Sequence, residues 1–116
     1  MTAVNLKAKL ATFAEHWTPK IVSQFNGHDV MVAKLEGEFN WHSHPDTDDF
    51  FLVLSGQVTI RLRDGDVVLN EGEMYVVPSG VEHCPVAEHE AEVLLIETSN
   101  TPNTGDVETA VVKETI

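Results

Sequence analysis

Cysteine, basic side chains and long apolar runs are all scarce in this 116-residue chain, and each shortage removes a class of protein. Cys84 is the only cysteine, so no internal disulfide can form, which suits a reducing cytoplasm. Seven Lys and Arg stand against 19 Asp and Glu, a formal net charge of −12. A field of that sign repels phosphate backbones and anionic lipid heads, so neither a nucleic acid nor a membrane surface is expected as a partner. No apolar run approaches the roughly 20 residues of a membrane helix, and no basic segment followed by an apolar one opens the chain. A cytoplasmic, soluble protein is expected. A phosphate-binding glycine loop, a Gly-x-Ser-x-Gly elbow, a Cys-x-x-Cys pair and internal repeats are absent as well.

Present instead is an ordinary globular composition, 42% hydrophobic and 22% charged, at a length that buries one modest core. One domain over residues 1–116 is expected. Residues 5–17, "NLKAKLATFAEHW", place Leu6, Leu10, Phe13 and Trp17 at helical spacing behind Asn5, a good N-cap, and Pro19 ends the pattern. From residue 20 to 99 the chain changes to short Val-, Ile-, Leu- and Phe-rich runs separated by Asn-Gly, Ser-Gly, Asp-Gly and Glu-Gly. Such frequent turns with no interleaved helix predict an all-β antiparallel sandwich or barrel after one short N-terminal helix. "RLRDGDVVLN" is the clearest hairpin, with Asp64-Gly65 at its turn. Residues 100–116 read as an extended tail that packs on the barrel or reaches a neighbouring subunit.

The chemistry concentrates in "WHSHPDTDDFFLVLSG", residues 41–56. His42 and His44 are two apart, so on an extended strand both emerge from one face. Imidazole is a common ligand for first-row metals and a carboxylate completes such a shell, with Asp46, Asp48 and Asp49 as candidates. Alone, the pair reads equally well as two surface histidines. A second stretch, "GEMYVVPSGVEHCP", sets Gly72, Pro78, Gly80 and His83 along another strand pair.

Together the two stretches resemble the paired motifs of the cupin superfamily. Gly37, His42-Ser43-His44, Asp49 and Gly56 follow the first motif; Gly72, Pro78, Gly80 and His83 follow the second. Three positions depart from it. Four residues instead of five separate Gly37 from His42, Asp49 replaces the usual Glu with neighbouring Asp48 as an alternative, and Ala87 occupies the closing Asn position. The resemblance is to small single-domain cupins of the type 2, phosphomannose-isomerase-like group. It implies a double-stranded β-helix, the jelly-roll barrel, with His42, His44, Asp49 and His83 holding a divalent transition metal (Mn, Fe, Ni or Zn) in its mouth. It also suggests a homodimer.

Three neutral imidazoles and one carboxylate leave a divalent ion with a net charge of +1 and open positions, which supports isomerase, lyase or dioxygenase chemistry on a small molecule. A phosphorylated substrate has no evident clamp, because Lys7, Lys9, Lys20, Lys34, Arg61, Arg63 and Lys113 all lie outside the motifs. The alternative is a non-catalytic module that binds or senses a small ligand in the same pocket. A proton-transferring group beside the metal would favour the enzyme, and a purely apolar pocket the module. His16, His28 and His89 are expected at the surface, Cys84 in the core, and Trp41, Phe39, Phe50, Phe51 and Tyr75 in packing roles.

Overall fold

The computed structural model describes residues 2–106 and 109–116. One short helix, α1 (Leu6–Leu10), precedes eight strands: β1 (Lys20–Phe25), β2 (His28–Glu38), β3 (Asp49–Ser55), β4 (Val58–Leu62), β5 (Gly65–Leu69), β6 (Met74–Val77), β7 (His83–Thr98) and β8 (Glu114–Thr115).

The helix is shorter than the apolar spacing of residues 5–17 predicts. Asn5 caps it as expected, its side chain accepting from the Ala8 N–H at 2.9 Å, but five residues later tertiary contacts take over. The Trp17 N–H donates to the Lys34 carbonyl at 2.9 Å, and Trp17 adopts a positive φ of 57° that no helix tolerates. Leu6, Leu10 and Phe13 still pack together with Val22 and Val32. Spacing that resembles a helix is satisfied there by one turn of helix and a loop.

The sheet runs β5-β4-β7-β2-β1-β8, with β3 also on β7 and β6 on β3. Strand β7 organises it. Over 16 residues its early part pairs with β4 (Arg61↔Cys84, Leu62↔His83) and its later part with β3 (Leu52↔Leu94, Phe51↔Leu95), while β2 runs along its other edge. All these pairs are antiparallel; β8 joins β1 in parallel. This is the expected all-β jelly-roll, with the difference that the hydrogen-bonded ladder ends at β5 and β8 instead of closing into a complete barrel.

Alternation along the strands fills the interior. Phe51 and Val53 of β3, Val58 and Ile60 of β4, and Val93 and Leu95 of β7 face one another in a single cluster with Met31 and Leu35 of β2. Asn26 and Gly27, with φ of 49° and 75°, join β1 and β2 in the left-handed geometry that suits a strand's twist. In the β4–β5 hairpin Leu62 pairs with Gly65, so the two loop residues are Arg63 and Asp64, one position earlier than Asp-Gly suggests.

The tail is not free. Asn103 is buried and accepts from the Val111 N–H at 3.1 Å, and β8 lies on β1. Lys113 reaches Glu97 at the end of β7, at 3.5 Å.

Gly56 turns the chain between β3 and β4 with φ of 84°, and a Cβ placed there would lie 3.1 Å from Ala91 Cα and from the Glu90 carbonyl oxygen. Both strain and crowding oppose a side chain. Gly56→Ala is expected to cost about 1–3 kcal/mol, read as a lowered midpoint in chemical denaturation of the metal-free protein.

Candidate metal centre

Two chain segments far apart in sequence are zipped together at the mouth of the fold. His42 and His83 exchange backbone hydrogen bonds, His42 N–H to the His83 carbonyl at 3.0 Å and the reverse at 2.9 Å. The turn at Pro78-Ser79-Gly80 locks the adjoining loop: the Gly80 N–H donates to the His44 carbonyl at 2.8 Å, and the Ser79 hydroxyl to the Pro45 carbonyl at 2.8 Å. Asp48 is exposed and spends its carboxylate on the Ser79 N–H at 2.9 Å. Asp49, one residue on and therefore on the opposite face of β3, turns inward and is buried. Of the two acids, Asp49 is the one that faces the histidines.

His42, His44, Asp49 and His83 meet there, each offering one donor atom, with all four donors within 4.8 Å of one another. Two ligands of one ion stand at most about 4.4 Å apart, twice a bond of roughly 2.2 Å. A shift of a few tenths of an ångström therefore suffices.

Hydrogen positions strengthen the case. His42 Nδ1 lies 3.0 Å from the Asn40 carbonyl and His83 Nδ1 2.9 Å from the Val81 carbonyl. A carbonyl only accepts, so each Nδ1 carries a proton and Nε2 is the ring nitrogen turned toward the centre. Yet His83 Nε2 sits 2.9 Å from Asp49 Oδ2, and His44 Nε2 3.3 Å from the same oxygen. At that distance His83 Nε2 and the carboxylate share either a proton or a cation, and both arrangements put positive charge at this point. Both His44 nitrogens and Asp49 Oδ1 are buried without a hydrogen-bond partner, the pattern expected where an ion supplies the missing interaction. Phe39 and Phe51 pack edge-on to His42 and His83, with centroids at 5.3 and 6.1 Å, and hold the rings in place.

The Cupin domain profile matches residues 29–98, well over half of the chain. The chain is a cupin. Its fold superposes on a cupin-2 domain protein from Shewanella frigidimarina with a TM-score of 0.81 and 42% identity, over 82% of this chain and 93% of that one. An uncharacterized Bacillus subtilis protein, YdbB, is 35% identical over 70% of this chain and 66% of its own length. A 3-hydroxyanthranilate 3,4-dioxygenase from Jannaschia is 28% identical over 83% of this chain and 58% of its own. The cupin thus spans from somewhat over half to about two thirds of the length of these two curated relatives.

A cleft of about 400 Å³, open mouth included, reaches the centre of this cupin on the side of His42 and Asp49. Trp17, Phe39, Phe51 and Leu95 line it, together with Glu97 and Asn103. Burial drives His42 down to about 4, so its ring is neutral at pH 7. Burial alone would raise Asp49, but the His44 and His83 rings more than offset it and hold the carboxyl well below the usual range. Glu97 moves the other way. Burial first, and then the negative charge of Asp49, push it up to about 8.

Of the other histidines, His16 is half-buried and pairs with Glu90 at 2.7 Å, His28 is half-buried at the β1–β2 turn, and His89 is exposed. Cys84 is fully buried, as expected. Phe39 and Phe51 line the cleft as well as packing, whereas Trp41 lies under Arg61 and Arg63, with Arg63 Cζ 3.8 Å from its ring centre. Trp17, Glu97 and Asn103 carry no motif and are joined to the site only by folding. For Glu97 the one signal was an acid on the inward alternation of an otherwise apolar strand, "EVLLIET".

His42 and Glu97 act with opposite sign on the stability of the metal-free cupin. His42 gains stability from about pH 4 upward, because the unfolded ring keeps its proton until roughly pH 6.5. Glu97 loses it from roughly pH 4.5 up to about 8, because the unfolded carboxyl gives up its proton first. Melting temperatures of metal-free wild type and Glu97→Gln between pH 5 and 8 separate these: the wild type should fall relative to the variant. Parallel curves would show that Glu97 is not held protonated.

Proposed function

We propose that the protein is a metal-dependent enzyme acting on a small molecule, with His42, His44, Asp49 and His83 as the ligands of one divalent transition ion. The observation that carries this reading is the buried Asp49 carboxylate, whose Oδ2 faces Nε2 of both His83 and His44 while Oδ1 has no hydrogen-bond partner. Nitrogen-rich donors with one carboxylate suit Mn, Fe, Ni or Zn better than Ca or Mg. When bound, such an ion supplies Lewis acidity and, as iron, the reaction with dioxygen.

Residues of the chain supply the rest. His42 and Asp49 form the wall between centre and cleft, the aromatic side chains exclude water, and Glu97 can hold or release a proton beside the substrate near neutral pH. That carboxyl favours an enzyme over a passive binding module. Among isomerase, lyase and oxygenase chemistry we favour dioxygenase chemistry, supported by the similarity to 3-hydroxyanthranilate 3,4-dioxygenase.

The proposal extends to a cytoplasmic homodimer. Strand β6 has a partner only in β3 among the described residues, and Met74 and Val76 on it are exposed, which suits a second copy. Sedimentation at micromolar concentration should give a dimer's mass, and a monomer would remove this element alone.

Metal analysis of protein purified without added metal should find about one transition ion per chain. His83→Ala and Asp49→Asn should lose it, with affinity down at least about 100-fold, whereas Asp48→Asn should retain it. Wild type that neither contains nor takes up a transition metal on titration would end the proposal.

A further inference from the structure

Two of the four donors at the centre ride on backbone that belongs to no strand. Asp49 opens β3 and His83 opens β7, so each is fixed at the end of a ladder, Asp49 opposite Val77 and His83 opposite Leu62. His42 and His44 lie between the end of β2 at Glu38 and the start of β3. Their segment meets β7 through the Phe39 N–H, which donates to the Pro85 carbonyl at 3.0 Å, and through the His42–His83 bridge. Beyond these the Gly80 N–H holds the His44 carbonyl at 2.8 Å. Ser43, between the two histidines, is met by the tail instead.

Gly105 packs directly on Ser43. A Cβ placed at Gly105 would run into the Ser43 carbonyl oxygen and stand 3.2 Å from its carbonyl carbon, and Gly105 has φ of 77°. Glycine alone satisfies both demands. The approach is backbone on backbone, so no flexible side chain can yield to relieve it.

The tail is fastened on either side of this contact. Asn103, 9% exposed, accepts from the Val111 N–H at 3.1 Å, and the Thr104 and Thr109 hydroxyls lie 2.7 Å apart. Lys113 Nζ donates to the Thr101 carbonyl and to Glu97 Oε2 on β7. At the far end β8 pairs with β1, the Ile116 N–H donates to the Ile21 carbonyl at 2.9 Å, and Glu114 stands 3.7 Å from Lys20 Nζ. The cupin match ends at residue 98, so all the tail's anchoring residues from Thr101 onward lie beyond the matched segment.

We infer that the tail, residues 99–106 and 109–116, is a clasp that keeps the His42–His44 segment in the geometry a metal needs, with Gly105 and Asn103 as positioning residues. This rests on the metal-centre reading above. Donors held in place before the ion arrives bind it more tightly, and loss of such outer support costs about 10- to 100-fold in affinity.

The test sets Gly105→Ala against Gly72→Ala. Gly72 has a similar φ of 83°, but a Cβ there would meet open space. Both variants carry the backbone strain of a side chain at positive φ, and only one strikes the donor segment. The full chain is titrated with cobalt(II), whose visible spectrum reports the arrangement of its donors. Gly72→Ala should match the wild type in affinity and spectrum. Gly105→Ala should bind at least about tenfold more weakly with an altered spectrum, and Asn103→Ala, which frees the Val111 N–H, should shift in the same direction. Equal affinity and spectrum in Gly105→Ala and Gly72→Ala would overturn the inference. Should Gly105→Ala not fold, Asn103→Ala decides in the same way.

If the wild type takes up no cobalt, the metal reading fails separately, and amide hydrogen exchange of the metal-free protein decides the clasp. The N–H groups of His42, Gly80 and His83 should exchange at least about tenfold faster in Gly105→Ala than in Gly72→Ala. Equal rates overturn the inference.

Discussion

A carboxylate buried among three imidazoles is the constraint on which the site depends. Removing a charge from water is costly, and the cost is met only by another charge or by a full set of hydrogen bonds. Asp49 has neither in full: one oxygen faces two imidazole nitrogens and the other has no hydrogen-bond partner. Such a centre could hold a cation. Phe39 and Phe51 hold the rings, and the Nδ1 hydrogen bonds of His42 and His83 to backbone carbonyls fix their tautomers. Orientation and basicity of the donors are thus built in before any ion arrives.

Strand β7 makes the geometry. Its first residue is His83, and fourteen residues later it supplies Glu97, so one continuous element carries both a donor to the centre and the proton-holding carboxyl beside it. Because β3 pairs with the later part of the strand and begins at Asp49, the acid is delivered to the same point from the neighbouring ladder. The His42–His83 backbone bridge supplies the third approach. Deformation of any one ladder would be felt at the site, since closely packed interiors transmit strain.

Electrostatics inside the cleft follow from the same carboxylate. Asp49 is held ionised by the imidazoles, and its charge helps keep Glu97 protonated near neutrality, so two acids a short distance apart take different roles. The tail adds to this wall through Asn103 and through Lys113, which lies behind Glu97 and limits how far its proton affinity rises. Apolar rings on one side and acids on the other give the cleft a definite chemical character.

The all-β class, the turn positions and the three histidines with an inward acid were all legible in the sequence, because alternation with period two and turn residues are local properties of a strand. The ambiguity between Asp48 and Asp49 was a local one, and in the fold it is Asp49 that turns toward the histidines. Helix length was misread because apolar spacing records which residues are buried and not which backbone buries them. Leu6, Leu10 and Phe13 pack where expected, yet Trp17 leaves to stack on Phe39. Only the tertiary structure could bring Trp17, Glu97 and Asn103 to the cleft. They stand on a loop, a strand end and the tail, and the proximity that shifts Glu97 and shapes the pocket is created by long-range pairing along β7, which no local pattern encodes.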